Sequence, residues 1–301
     1  MAQVRILVAG ARGQLARALV GAARTRPGIQ LIALGRPQLD LSDSAAPAAA
    51  IRRAGPHLIV NAAAYTAVDQ AEREPDAAFT INRDGAGALA GAAAAAGVPI
   101  IHVSTDYVFD GTKPAPYVET DPANPLSAYG RSKLEGEIAV AAANPRHIVL
   151  RTAWLYTAHG RNFLTTMLRL ARERPRLEVV DDQLGNPTYA PHLAGAILAM
   201  AERLANARDA EVWGTYHAAA GGETTWHGFA SAMVERTARL GVPPVPVVPI
   251  TSADYPTVAR RPANSRLDSG KLERVLSLRL PPWQEGLEEC IARLEADVAR
   301  A

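Results

Sequence analysis

The chain has 301 residues, 48% of them hydrophobic and 21% charged, an ordinary globular composition with room for a sizeable core and one or two domains. A formal net charge of +2 without an arginine-rich run leaves no electrostatic footprint for nucleic acid. The single cysteine, Cys290, excludes an internal disulfide, the N-terminus lacks the pattern of a signal peptide, and the alanine-rich run at 86–96 is too short to cross a membrane, so a soluble cytoplasmic protein is expected.

In chain order, residues 4–9 form a short apolar strand, followed by a glycine turn and a helix over 14–24. In the pattern Gly10-x-x-Gly13-x-x-Ala16, Gly10 permits the tight turn and Gly13 lets backbone approach a pyrophosphate. Gln14 and Leu15 open a helix whose N-terminus offers amide donors and a positive dipole end. Residues 29–34 are the second strand. A carboxylate at that strand end often binds the ribose 2′-hydroxyl of NAD, but here Arg36 follows Gly35, and Arg12 sits in the glycine loop. Two guanidinium groups suit a 2′-phosphate, which favours NADPH, with NADH the alternative and Asp40 and Leu41 as adenine contacts.

Residues 44–54 are expected as a helix capped by Ser42 or Ser44. The third strand, 57–61, runs into Ala62, Ala63, Ala64 and Tyr65, where small side chains let a flat ligand lie against backbone. A mostly helical stretch over 75–97, a fourth strand over 98–103 ending at Ser104 and Thr105, a helix over 128–142 and a fifth strand over 147–150 complete the first half. Apolar strands alternating with helices predict an α/β fold, a doubly wound parallel sheet covered on both faces, with ligands at the carboxyl ends of its strands.

Beyond residue 154 the alternation loosens. Helices are expected over 162–173, 192–205 and 226–240, and the proline-rich segment 241–246 as a connector rather than a central strand. The expected organisation is a dinucleotide-binding domain over 1–153, and over 154–301 a smaller mixed α/β substrate-binding lobe interleaved with the sheet.

Tyr129 and Lys133 stand four residues apart, one helical turn, so phenol and ammonium share a face. A cation beside a phenol favours the phenolate, which predicts a tyrosine of lowered pKa that exchanges a proton with a carbonyl substrate. Thr105, 24 residues before Tyr129, supplies a hydroxyl to orient that substrate.

These motifs resemble the extended short-chain dehydrogenase/reductases, whose nucleotide-binding sheet is of Rossmann type, and within them the dTDP-4-dehydrorhamnose reductase family. The resemblance runs through the glycine loop, Leu39 to Leu41, Asn61 to Asp69, Ser104 to Gly111 and Tyr129 to Lys133. It extends through Arg151 to Tyr156, Asp182 to Tyr189 and Arg261 to Asp268. It implies a Rossmann-type reductase in which Tyr129 is the general acid for the C4 oxygen of a dTDP-sugar and Lys133 binds the nicotinamide ribose. Thr105, Asp106, Tyr107, Trp154 and Asn186 would contact the nucleotide-sugar. Asn264, Ser265 and Arg266 would close over it, Arg266 toward the diphosphate. A homodimer fits the resemblance. Related folds also include nucleotide-binding regulatory subunits and reductases or epimerases of other nucleotide-sugars; the intact Thr105, Tyr129 and Lys133 set speaks against a purely regulatory role. No metal-ligand spacing supports magnesium or any other metal.

Overall fold

The computed structural model describes residues 3–204 and 212–300. The first half alternates β1 (Val4–Ala9), α1 (Gln14–Ala23), β2 (Ile29–Leu34), α2 (Ala46–Ala54) and β3 (Leu58–Asn61). Then come the short helices α3 (Val68–Ala71) and α4 (Pro75–Phe79), a π-helical stretch over Thr80–Gly85, α5 (Ala86–Ala95), β4 (Ile100–Thr105), α6 (Ala128–Ala143) and β5 (His147–Thr152). The second half holds the two-residue strand β6 (Leu155–Tyr156), α7 (Phe163–Glu173), β7 (Leu177–Val180), β8 (Leu184–Gly185), β9 (Thr188–Tyr189) and α8 (Ala190–Leu204). It continues with β10 (Gly214–His217), β11 (Thr224–Thr225), α9 (Trp226–Thr237), β12 (Val247–Ile250), α10 (Gly270–Leu276) and α11 (Trp283–Val298). Ala205, the expected last residue of the helix before β10, lies outside the described residues.

The central sheet has the order β10-β5-β4-β3-β1-β2 and is parallel throughout. Its strands are apolar on both faces because both are covered: Ile6, Leu7 and Val8 are wholly buried, as are Leu58, Ile59 and Val60. One face packs on Leu15 and Leu19 of α1, Leu193 and Ile197 of α8 and Leu272 of α10. The other packs on Ile51 of α2, Leu89 of α5 and Val140 of α6. A separate apolar cluster holds the second lobe, joining Leu164 and Leu168 of α7, Phe229 and Met233 of α9, and Leu287 and Ile291 of α11.

Two local expectations change. Neither Ser42 nor Ser44 caps α2: its N-cap is Ala45 and carries no side-chain cap. The Ser42 amide and hydroxyl instead donate to Asp40 Oδ1 at 3.0 and 2.8 Å, a tight local turn that competes with the cap. The helix over 75–97 is interrupted by the π-helical stretch, which carries the buried Asn82. Asn82 exchanges bonds with the Tyr65 amide and carbonyl at 2.8 and 3.0 Å and donates to Ser132 at 2.9 Å.

Chain connections leave β1 in opposite directions, toward β2 and then across to β3. This switch point opens a crevice beyond the strand ends. Among the described residues no helix is long and apolar enough to cross a membrane.

Candidate active site

The crevice at the switch point is the mouth of a cleft of about 1140 Å³. Its nucleotide end is built from backbone. Gly10 has φ +96°, and a Cβ there would sit 2.8 Å from the Ala63 nitrogen and Cα, so the β1 and β3 loops close on each other only because position 10 is glycine. Gly13 is the N-cap of α1 with no side-chain cap, and the first turn carries no acidic residue. The amides of a helix start are thus left for an anion. An uncapped, glycine-lined helix N-terminus fits the pyrophosphate of a dinucleotide.

Arg12, Gly13, Gln14, Leu15, Ala62 and Ala64 line the cleft, whereas Gly10 and Ala63 press together beside it. Arg12 and Arg36 are both exposed, free to reach a phosphate. Asp40 is held by the Ser42 turn, which lowers its pKa, with Arg36 adding a smaller electrostatic pull. Leu41 turns its side chain into the core, and Tyr65 is tied by its backbone to Asn82 and by its hydroxyl to Glu74 at 3.2 Å. Leu41 and Tyr65 are therefore wall-building residues, and neither lines the cleft.

The reactive end lies where β4 and α6 converge. Ser127 caps α6 by accepting the Gly130 amide at 3.1 Å, which starts the helix just before Tyr129. Thr105, Asp106, Tyr107, Tyr129 and Lys133 all line the cleft. The Thr105 hydroxyl donates to Asp106 Oδ1 at 2.9 Å and accepts the Tyr107 amide at 3.2 Å. The Tyr107 and Tyr129 rings meet edge to face at 6.0 Å.

Electrostatics at this end depart from the spacing argument. Lys133 is 2% exposed, and its ammonium is spent on the Val103 carbonyl at 2.7 Å and His102 Nε2 at 3.3 Å. Burial lowers the Lys133 pKa to about 8, partly offset by Glu137. Tyr129 is not lowered as its neighbour suggested. Burial pushes the phenol up to about 12, against a smaller lowering from the Thr105 hydroxyl. Desolvation decides because a phenolate here loses its water while the Lys133 ammonium is bonded to Val103 and His102. The phenol therefore holds its proton at neutral pH.

The substrate-lobe wall carries Trp154, Tyr189 and Trp226. Trp154 has φ +46°, a strained left-handed backbone for a bulky residue. Its indole stacks on Trp226 with centroids 3.5 Å apart and planes 5° apart. Its other side meets Gly185, where any Cβ would overlap the ring, and its Nε1 donates to Ser265 at 3.1 Å. Trp226, 72 residues from Trp154 in sequence, escaped the sequence reading because nothing local marks a partner that far along the chain.

Asn186 and Arg266 were expected at the substrate but do not line the cleft. Asn186 donates to the Gly222 carbonyl at 2.7 Å and accepts the Leu267 amide at 2.8 Å. Arg266 pairs with Glu223 at 2.8 and 2.9 Å and with Asn264 Oδ1 at 2.8 Å. Asn264 in turn ties the Lys113 and Ala115 carbonyls at 2.6 and 2.9 Å. The Arg266 guanidinium is thus held across the loop by Glu223 and Asn264. Among the described residues no group of three acidic, histidine or cysteine side chains is placed to hold a metal.

Comparison with known proteins agrees with this geometry. The family model described as RmlD substrate binding domain matches residues 4–296. The dTDP-4-dehydrorhamnose reductase of Sinorhizobium fredii is 49% identical over 288 residues, 96% of this chain and 97% of the relative. A solved dTDP-4-dehydrorhamnose reductase from Clostridium acetobutylicum superposes with a TM-score of 0.89 at 37% identity, covering 97% of this chain and 100% of that one. One from Bacillus anthracis, in complex with NADP, has a TM-score of 0.89 at 33% identity, covering 97% and 99%.

Proposed function

Because the chain belongs to the dTDP-4-dehydrorhamnose reductase family, we propose that it reduces the C4 ketone of dTDP-4-dehydro-β-L-rhamnose to give dTDP-β-L-rhamnose, with NADPH as reductant. The observation that carries this reading is one cleft with Thr105, Tyr129 and Lys133 at one end and an uncapped glycine-loop helix at the other.

When bound, the reduced dinucleotide supplies the hydride. The α1 amides and Gly13 would hold its pyrophosphate, and Arg12 with Arg36 its 2′-phosphate. Lys133 would hold the nicotinamide ribose. Thr105 orients the ketone oxygen toward Tyr129, which donates its phenolic proton as the oxygen gains charge. A phenol with a pKa of about 12 is fully protonated at neutral pH, the state a general acid requires. Fixed placement of the reacting groups supplies much of the rate. Trp154, Trp226 and Tyr189 form the aromatic wall for the nucleotide-sugar.

Cytoplasmic residence and a homodimer follow from the same reading, and sedimentation of the purified protein checks the second. The decisive assay supplies dTDP-4-dehydro-L-rhamnose and NADPH and follows the loss of NADPH absorbance, with dTDP-L-rhamnose identified as product. Absence of NADPH oxidation would sink the reading.

A further inference from the structure

We propose that Asn162 couples the two ligands of the cleft, tying the wall of the second lobe to the glycine loop so that each ligand binds more tightly when the other is present. This deepens the reductase reading above and rests on it. Thr157, Ala158, His159, Gly160 and Arg161 form the turn before α7, and all five line the cleft. The turn is closed on itself. The Thr157 hydroxyl accepts the His159 amide at 2.9 Å, Gly160 sits at φ +79°, and its carbonyl accepts the Thr165 hydroxyl at 2.8 Å.

Asn162 is the node. Its Oδ1 caps α7 by accepting the Thr165 amide at 3.1 Å, and its Nδ2 donates to the Thr157 carbonyl at 2.9 Å and to Gln14 Oε1 at 3.0 Å. Among the described residues this last bond is the only hydrogen bond from residues 157–162 to the first half of the chain. The pairing of His159 with Asp297 at 3.3 Å stays within the second lobe.

Gln14 opens α1 beside the glycine loop and lines the cleft. A carboxamide has an acceptor oxygen and two donor hydrogens on its nitrogen. Here the oxygen is taken by Asn162, while Nε2 has no partner among the described residues and is left to donate to the dinucleotide. A ligand that accepts from Nε2 fixes the plane of that amide and polarises it, which strengthens the bond on its oxygen. Asn162 and the wall turn are then held in place before the nucleotide-sugar arrives. By linkage the effect runs both ways, so the nucleotide-sugar favours the dinucleotide by the same factor. One net hydrogen bond sets its size, about fivefold.

NADPH and dTDP-L-rhamnose do not react with each other, so both can be titrated at equilibrium. The NADPH Kd, read by fluorescence, should fall about fivefold when dTDP-L-rhamnose saturates the protein. Calorimetric titration of dTDP-L-rhamnose should show the same factor when NADPH saturates. Gln14→Leu removes the acceptor and leaves the other bonds of Asn162 in place. Asn162→Ser keeps the α7 cap but is too short to reach Gln14. In each variant the coupling should vanish, and combining the two should lose nothing further. A merely structural role would weaken both affinities and leave the coupling factor unchanged. A wild-type protein without coupling, or variants with the wild-type factor, overturn the proposal alone. A wild-type protein that binds no dTDP-L-rhamnose and does not oxidise NADPH with the ketone overturns the coupling and the reductase reading together.

Discussion

At the scale of single residues, burial decides the electrostatics. Tyr129→Phe removes only the phenolic oxygen, so it should bind NADPH normally in a fluorescence titration while kcat falls by about 10³; wild-type turnover would remove Tyr129 from the chemistry. Arg12→Ala and Arg36→Ala act at the exposed corner of the nucleotide end. Each should raise KM for NADPH several-fold and leave KM for NADH nearly unchanged, because only the 2′-phosphate is lost. His102 and His217 are both wholly buried. Burial lowers the pKa of both, His217 to about 3, with the Lys133 charge adding for His102 and Arg151 for His217. Below the ordinary histidine value of 6.5 the unfolded chain binds protons that the native state refuses. Stability is therefore full above that pH and declines as pH falls through it. A thermal melt at pH 5 should fall below that at pH 7.5, and His217→Gln should reduce the difference.

At the scale of elements, α6 is the chassis of the reactive end, and its glycines set how closely it sits. A Cβ at Gly130 would overlap the Tyr107 carbonyl, and one at Gly136 would overlap the Asn82 carbonyl in the π-helical stretch. Beside them Glu137, on the same helix, receives the Ser104 hydroxyl and a two-pronged Arg151 guanidinium, all buried. Gly136→Ala should therefore cost about 1–3 kcal/mol in chemical denaturation and lower kcat as well, since the helix cannot retreat without moving Tyr129. The helix itself was legible from Ser127 onward, because capping and the Tyr129/Lys133 spacing are local signals. The close approach was not, because Asn82 lies 54 residues before Gly136 and nothing in the segment Thr80–Gly85 marks it locally as π-helical. The same limit hides the pairing of Arg266: the resemblance aims this guanidinium at a diphosphate, and its partner Glu223, 43 residues away, leaves no local signal.

At the scale of the molecule, the halves are woven together. The first five sheet strands were readable because each is a short apolar run between turns. β10 was not, since Gly214, Thr215, Tyr216 and His217 carry no apolar run, and a strand at the sheet edge needs none. Yet β10 pairs along β5 in full register, and α8 and α10 cover one face of the sheet. A fragment ending at residue 153 should thus lack a cooperative melt and bind no NADPH, although the glycine loop and every strand through β5 are present.

That pairing sets an order in time. On the ribosome β5 is complete at Thr152, but its neighbour ends at His217. At ~5–20 residues per second the nucleotide-binding half therefore waits several seconds with an open strand edge and an uncovered apolar face. Such an edge is a template for wrong partners, so nascent chains stalled at residue 153 should be chaperone-bound and protease-sensitive, and those released after α10 should not.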